Sequence, residues 1–224
     1  MPNKLFFSRL DFYTVPGSIP NLSIPCFNGF SFFGPQMSMG HIKHRAFAAG
    51  FFGFHYIRAT LENAPILRKD SLQRLLQLLE ALQIDESFTN NLPFQSVKSL
   101  PEFQRKVIKR VSLEIGDAFN SPAQWMVEFG FSLAITYSTL VTTTQCKSQI
   151  ELKKQLMCIE SRIQHLLILA KKSEAPTIII DALTSSAAAL RQRKTRQSTR
   201  KCMDLINLTA KQLLITEVAV GVLN

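Results

Sequence analysis

The sequence predicts a mainly α protein, in which a helical bundle of about five to six helices follows an irregular N-terminal arm. The chain has 224 residues, of which 46% are apolar and 19% charged, and these fractions are near those of globular proteins. Its first 54 residues hold 11 of the 17 Phe, 5 of the 10 Pro and 6 of the 9 Gly. Pro and Gly interrupt regular structure, whereas apolar residues at helical spacing dominate the rest, so the arm is expected to end near residue 40.

The predicted arm covers residues 1–40, and residues 41–224 form a single helical domain. Aromatic and polar residues mix between Lys4 and Val15, a pattern that fits one short strand before the turn at Pro16. The aromatic side chains of the arm either pack on this chain's own helices or anchor in pockets of a partner. The candidate partner-binding residues are Phe6, Phe7, Phe12, Phe27, Phe30, Phe32 and Phe33.

Two helices are predicted in the first part of the domain. The first begins after Gly40 and runs to Leu61, and glycines at 50 and 53 are expected to weaken it. The second has Asp70 as its N-cap and Gln73 at the third position, and it runs to about Ile84. Its apolar face consists of Leu72, Leu75, Leu76, Leu79 and Leu82.

A loop over 85–98 is predicted from its Asn and Pro residues, and Ser99 with Glu102 forms a capping box that opens the next helix. That helix runs to about Phe119, with Phe103, Val107, Val111 and Ile115 on its apolar face. Ser121 then caps a further helix that has Pro122 in its first turn and Gln124 as the reciprocal capping residue.

The helix from Ala123 to Val141 is apolar all round, and Glu128 is its only formally charged residue. This composition fits either a central buried helix or a membrane span. A carboxylate inside a span is costly, so the buried helix is favoured. Glu128 itself is expected to be buried or half-buried, and either to meet a basic partner or to take up a proton.

Three more helices are predicted after residue 147, and their apolar residues recur at steps of four and three. In a chain this rich in helices, packing within the bundle is favoured over a dimeric coiled coil. The first runs from Lys147 to Lys172, the second opens near Pro176, and the third extends to the C-terminus. Their inward positions are Leu152, Leu156, Ile159, Ile163, Leu166 and Ala170; then Ile179, Leu183, Ala187 and Leu190; then Cys202, Ile206, Thr209 and Leu213.

The charge of the chain favours polyanionic partners, because 26 Lys and Arg oppose 16 Asp and Glu. Basic residues concentrate in two clusters whose guanidinium groups suit phosphate. The candidate polyanion-binding residues are Arg191, Arg193, Lys194, Arg196, Arg200 and Lys201, together with Arg105, Lys106, Lys109 and Arg110. Whether the first cluster is helix or loop is open, and either cluster could instead be a solvated surface or a localisation patch.

No enzyme motif is found, so a non-enzymatic protein without a cofactor is predicted. The HxxH step of His41 and His44, with Cys26 upstream, lacks the four ligands of a zinc site, and no metal is expected. His55 and His165 are expected to be packing or surface residues.

The cysteines Cys26, Cys146, Cys158 and Cys202 lie far apart, which favours reduced thiols in the cytosol, nucleus or an organelle. Arg9 and Asp11 interrupt any apolar run of secretory length near the N-terminus, so secretion is not expected.

Three functions therefore stay open. The first is binding of nucleic acid, RNA included, or of an acidic protein surface through the basic clusters. The second is an interaction or adaptor module, as a homo-oligomer or with a protein partner, through the aromatic arm. The third is peripheral binding to an anionic membrane surface. A subunit of a larger viral or organellar assembly is compatible with the first two.

Overall fold

The computed structural model describes residues 39–144, 148–192 and 195–221, and all regular structure within these ranges is helical. The elements are α1 (Met39–Leu61), α2 (Pro65–Ala81), α3 (Glu86–Asn90), α4 (Leu100–Phe103), a π-helical turn (Gln104–Ile108), α5 (Lys109–Phe119), α6 (Ala123–Thr144), α7 (Gln149–Lys172), α8 (Thr177–Gln192) and α9 (Arg196–Gly221). Because α4, the π turn and α5 follow one another without a break, the described ranges contain eight helical rods. The mainly α class is confirmed, but the count exceeds the predicted five to six.

Helix α6 is the centre of the bundle, as its apolar composition predicts. It packs against α1, α5, α7 and α9. Every residue from Phe129 to Val141 is buried, so the helix has no solvent-exposed face over that stretch. Among the described helices, none combines the length and apolar character needed to cross a membrane.

The close contact between α1 and α6 depends on two glycines. A Cβ on Gly50 would lie 1.8 Å from the carbonyl oxygen of Val127, and a Cβ on Gly130 would lie 2.0 Å from that of Phe47. Each helix therefore places a glycine against the backbone of the other. Besides its expected effect on helix propensity, Gly50 has a packing role that the sequence did not predict, because the missing side chain lets the two backbones approach closely.

Two predicted boundaries near α2 and α3 are wrong. Helix α2 begins at Pro65, which has no N–H to lose in the first turn, and not after Asp70. Asp70 instead lies inside the helix and accepts a hydrogen bond from Arg74 at 3.0 Å. The predicted loop contains α3, which Asp85 caps by accepting from the backbone N–H of Ser87 at 2.6 Å.

The predicted helix starts at Ser99 and Ser121 are confirmed by their caps. Ser99 Oγ accepts from the backbone N–H of Glu102 at 3.4 Å, while the Glu102 carboxylate accepts from Lys98 and not from Ser99. Ser121 Oγ accepts from the N–H of Ala123 at 3.2 Å at the start of α6. The predicted inward positions of α7, α8 and α9 are all buried.

His55 is buried in α1 among phenylalanine rings, with ring centroids 4.8 Å from Phe51 and 5.4 Å from Phe54. Burial, followed by the nearby Arg58 charge, lowers the pKa of His55 to about 3. The ring is therefore neutral in the folded protein at any pH near neutrality, and the prediction of a packing histidine is confirmed for His55. The side chain of His165, by contrast, is exposed.

This pKa predicts a loss of stability in mild acid. Below its unfolded value of about 6.5, His55 binds a proton in the unfolded chain but not in the folded one, so the free energy of unfolding falls as pH falls towards about 3. Between pH 7 and pH 5 we expect His55 to contribute a loss of about 2 kcal/mol. Urea unfolding at both pH values should show a shallower loss for His55→Gln than for wild type. The exposed-site variant His165→Gln should retain the wild-type loss, and equal pH dependence in all three proteins would contradict the assignment.

The aromatic arm, including its predicted strand and its seven candidate Phe residues, lies outside the described residues. The predictions about it stay predictions.

Candidate functional site

A groove of about 510 Å³ lies where the π turn and α5 meet the first turns of α6. A π turn adds a residue to one helical turn, and such turns are frequent at functional sites. The groove is lined by Pro101, Gln104, Arg105, Lys109, Ser112, Leu113, Gln124, Trp125 and Glu128. It combines cationic, anionic, amide and aromatic groups within a short distance.

The floor of the groove is held by close packing between α5 and α6. Ser112 Oγ donates a hydrogen bond to the carbonyl oxygen of Gln124 at 2.8 Å. Gly116 adds to the approach, because a Cβ there would lie 2.4 Å from the Gln124 Oε1 atom. The two walls therefore keep a defined spacing.

The structure divides the four basic residues predicted on this rod into two pairs. Arg105 and Lys109 are exposed and line the groove. Lys106 forms an ion pair with Glu102 at 2.8 Å, and its hydrogen bond lowers the pKa of the Glu102 carboxyl. Arg110 lies over the ring of Phe88, 5.9 Å from its centroid. Two cations are thus directed to the groove, and the other two are engaged elsewhere.

Glu128 is half-buried on α6, as predicted, and its side chain lines the same groove as Arg105 and Lys109. Two outcomes were predicted for its carboxylate, and the first of them, an ion pair with a basic partner, is not seen within the described ranges. The groove therefore offers a carboxylate acceptor beside two cations.

Trp125 forms a further wall and is the only Trp of the chain. Lys172, in the last turn of α7, places its Nζ 4.1 Å from the centroid of the indole ring, a cation–π contact. Sequence reasoning missed both residues. Trp125 stands close to Glu128 in sequence and could have been noticed, but Lys172 reaches the site only through the packing of α7 on α6.

The second basic cluster spans the junction between α8 and α9. Arg191, at the end of α8, pairs with Glu160 of α7 at 2.8 Å. Arg200 and Lys201 are exposed on α9. Arg193 and Lys194 lie outside the described residues, and Arg196 is the first residue of α9, with only its backbone described.

The segment that carries this cluster is helical on both sides of the junction. Thr195 and Ser198 cap α9 reciprocally: Thr195 Oγ1 accepts from the N–H of Ser198 at 3.3 Å, and Ser198 Oγ accepts from that of Thr195 at 3.1 Å. This T-x-x-S signal is readable in the sequence, and the prediction did not use it.

The two clusters lie on different parts of the bundle. Helix α5 packs against α6, whereas α8 packs against α7 and α9, and α5 shares no extensive interface with α8 or α9 in the described part of the chain. They are two separate basic surfaces.

A larger groove of about 640 Å³ lies between α2 and α3. It contains Lys69 together with Glu80 and Glu86, so it has no positive excess, and no candidate residue lines it. We therefore regard the groove beside the π turn as the better candidate.

The histidine and cysteine positions contribute no metal centre within the described ranges, where no three His, Cys, Asp or Glu side chains converge. His44 Nδ1 lies 2.8 Å from the carbonyl oxygen of Leu213 and links α1 to α9. The side chain of His41 and the whole of Cys26 lie outside the description. Cys158 and Cys202 are free thiols, and burial raises the pKa of Cys202 to about 12.

Comparison of the chain with protein-family models, curated proteins and solved structures finds no match.

Proposed function

We propose that this chain is a non-enzymatic intracellular binding protein whose basic surfaces engage a polyanion, with nucleic acid as the preferred class. The observation that carries the proposal is the groove beside the π turn. There Arg105 and Lys109 are exposed, line one cavity and have no ion-pair partner among the described residues. Exposed cations that form no ion pair with a described residue can bind phosphates.

The α8–α9 junction supports the same function by its electrostatics. The N-terminus of a helix carries a partial positive charge, and basic residues there oppose folding by about 0.3–1 kcal/mol each. Helix α9 nevertheless begins with Arg196, has no acidic residue in its first turn, and exposes Arg200 and Lys201 soon after. A bound polyanion would offset this repulsion.

The test measures how salt weakens binding to a fluorescein-labelled single-stranded oligonucleotide, read by fluorescence anisotropy between about 50 and 200 mM KCl. Each phosphate contact on a single strand contributes about −0.7 to the slope of log K against log salt. The double variant Arg105→Ala with Lys109→Ala should bind about tenfold more weakly or worse, with a slope reduced by about 1.4.

A matched control removes the same two residue types from α2. Arg68 and Lys69 are exposed and lie away from the groove, so Arg68→Ala with Lys69→Ala lowers the net charge equally. We expect this control to retain a slope near the wild-type value. Equal losses in both double variants would mean that only net charge matters, and salt-independent or absent binding would end the proposal.

A second candidate function, a protein interaction module, is favoured by the outer face of α7. Three large apolar side chains there are exposed, Ile150 at 71%, Met157 at 61% and Ile168 at 53%. Their spacings of seven and eleven residues place them on one stripe, and the exposed residues Lys153, Lys154, Lys171 and Lys172 flank it. The stripe suits an acidic protein partner better than a second copy of itself. An anionic membrane surface is the third alternative.

The second function predicts a complex that needs no nucleic acid. If oligonucleotides fail to bind, light scattering on the full chain and on a chain lacking residues 1–35 would show whether an oligomer depends on the arm. Sedimentation with vesicles of anionic or neutral lipid would test the third alternative.

A further inference from the structure

We propose that the groove beside the π turn holds one unpaired base of a single-stranded nucleic acid, with guanine preferred, and that Glu128 reads the base edge. This inference rests on the proposed nucleic-acid function and adds the site and the chemistry of recognition.

The two cations of the groove are expected to contact the phosphate backbone of the strand. Arg105 and Lys109 stand four residues apart, both line the groove, and both are exposed. An Arg and a Lys at this spacing can contact the phosphates that flank one nucleotide, which positions the strand without reading its sequence.

The carboxylate of Glu128 needs a separate explanation, because it would repel a phosphate. It is half-buried in the groove wall, forms no ion pair with a described residue, and accepts hydrogen bonds without donating any when ionised. A ligand that matches both the two cations and the carboxylate of the groove must therefore present N–H donors next to its negative charge. A nucleotide does so, because its base carries donors and its phosphate carries the charge.

Guanine matches this arrangement better than the other bases. Its Watson–Crick edge presents two adjacent donors, N1–H and N2–H, to which a carboxylate can bind with both oxygens. Cytosine and adenine place a ring acceptor beside a single amino donor, and uracil and thymine flank their N3–H with two carbonyl groups. The amide of Gln104 or Gln124, which also line the groove, can donate to guanine O6.

The groove also supplies an apolar wall, and its ligand must be unpaired. Leu113 is 52% exposed and lines the groove together with Trp125, so a flat base can lie against the Leu113 side chain and against the part of the indole that Lys172 does not cover. In a duplex the Watson–Crick edge is already paired, so Glu128 could not reach its donors. The site therefore selects a single strand over a duplex.

The experiment uses Trp125 as its own probe, because it is the only Trp of the chain and lines the groove. Full-length protein is titrated with a dT decamer and with the same decamer carrying one central dG, dA or dC, while Trp fluorescence and the anisotropy of a labelled strand are recorded together. We expect the dG strand to change Trp fluorescence and to bind about tenfold more tightly than the all-dT strand. A duplex containing the same dG should lose that preference.

Two variants assign the preference to residues. Glu128→Gln should abolish the dG preference while binding the dT strand at least as well as wild type, because a repulsive charge is removed. The double variant Arg105→Ala with Lys109→Ala should weaken both strands about equally. Competition by GMP and by UMP for the wild-type protein tests the preference for guanine without any substitution. We expect GMP to compete more strongly than UMP.

The outcomes separate this inference from the function on which it rests. Anisotropy that reports salt-dependent binding with unchanged Trp125 fluorescence, or with equal affinity for dG and dT strands, overturns the groove assignment and leaves polyanion binding intact. A dG preference that survives Glu128→Gln overturns the role of Glu128. Binding to neither strand at about 50 mM salt overturns both proposals.

Discussion

Gly130→Ala is expected to lower the free energy of unfolding by about 3 kcal/mol, although alanine is the better helix former by about 1 kcal/mol. The added Cβ would meet the carbonyl oxygen of Phe47 at 2.0 Å and its carbonyl carbon at 2.9 Å. Both atoms are backbone within α1, so they can move only if the helix moves. Urea unfolding followed by far-ultraviolet circular dichroism measures the loss, and Gly50→Ala should behave alike because its Cβ meets Val127 in the same way.

Gly53→Ala is the matched control for this prediction. Gly53 lies in α1, one turn from Gly50, and its Cβ would meet the Cδ1 atom of Ile108 at 2.6 Å, which is the far end of a flexible side chain and not backbone. We expect its free energy of unfolding to stay within about 1 kcal/mol of wild type, because the higher helix propensity of alanine offsets the small rearrangement. Equal stability of Gly130→Ala and Gly53→Ala would contradict the close backbone contact between α1 and α6.

Arg58→Ala is expected to cost about 2–3 kcal/mol, the range for charged hydrogen bonds in a buried setting. Arg58 is only 5% exposed, donates through Nε to Glu62 at 2.8 Å and through a terminal nitrogen to Ser138 Oγ at 2.7 Å. Removal of the guanidinium would leave the Ser138 hydroxyl without this donor and would break a polar link between α1 and α6. Chemical denaturation at neutral pH measures the effect.

Arg74→Ala provides the comparison, because Arg74 also pairs with an acid four residues away, Asp70, but on the surface. Exposed pairs of this kind contribute about 0.3–0.5 kcal/mol, and the contact of Arg74 with the Phe52 ring adds a similar amount. We expect a loss below about 1 kcal/mol. Comparable losses at the two arginines would show that the Arg58 link does not contribute as the structure implies.

Three charged residues of the candidate site were predictable from the sequence. Arg105 and Lys109 stand out as exposed cations on an amphipathic helix, and Glu128 as the one charge of an apolar helix. Their meeting in one groove was not predictable, because it depends on how α5 crosses α6. The contacts that engage Lys106 with Glu102 and Arg110 with Phe88, and leave Arg105 and Lys109 in the groove, were not predictable from hydrophobic spacing either.

What the sequence by itself determined is the helical class, the caps at Ser99 and Ser121, the buried faces of the last three helices and the central place of α6. These features follow from local hydrogen bonding and from the periodic placement of apolar residues, and both depend on residues close together in sequence. Only the tertiary structure shows that Gly50 and Gly130 allow α1 and α6 to pack closely, and which charges share a groove. Those outcomes depend on contacts between residues far apart in sequence, and the free energy of such contacts is set by packing geometry that no local pattern records.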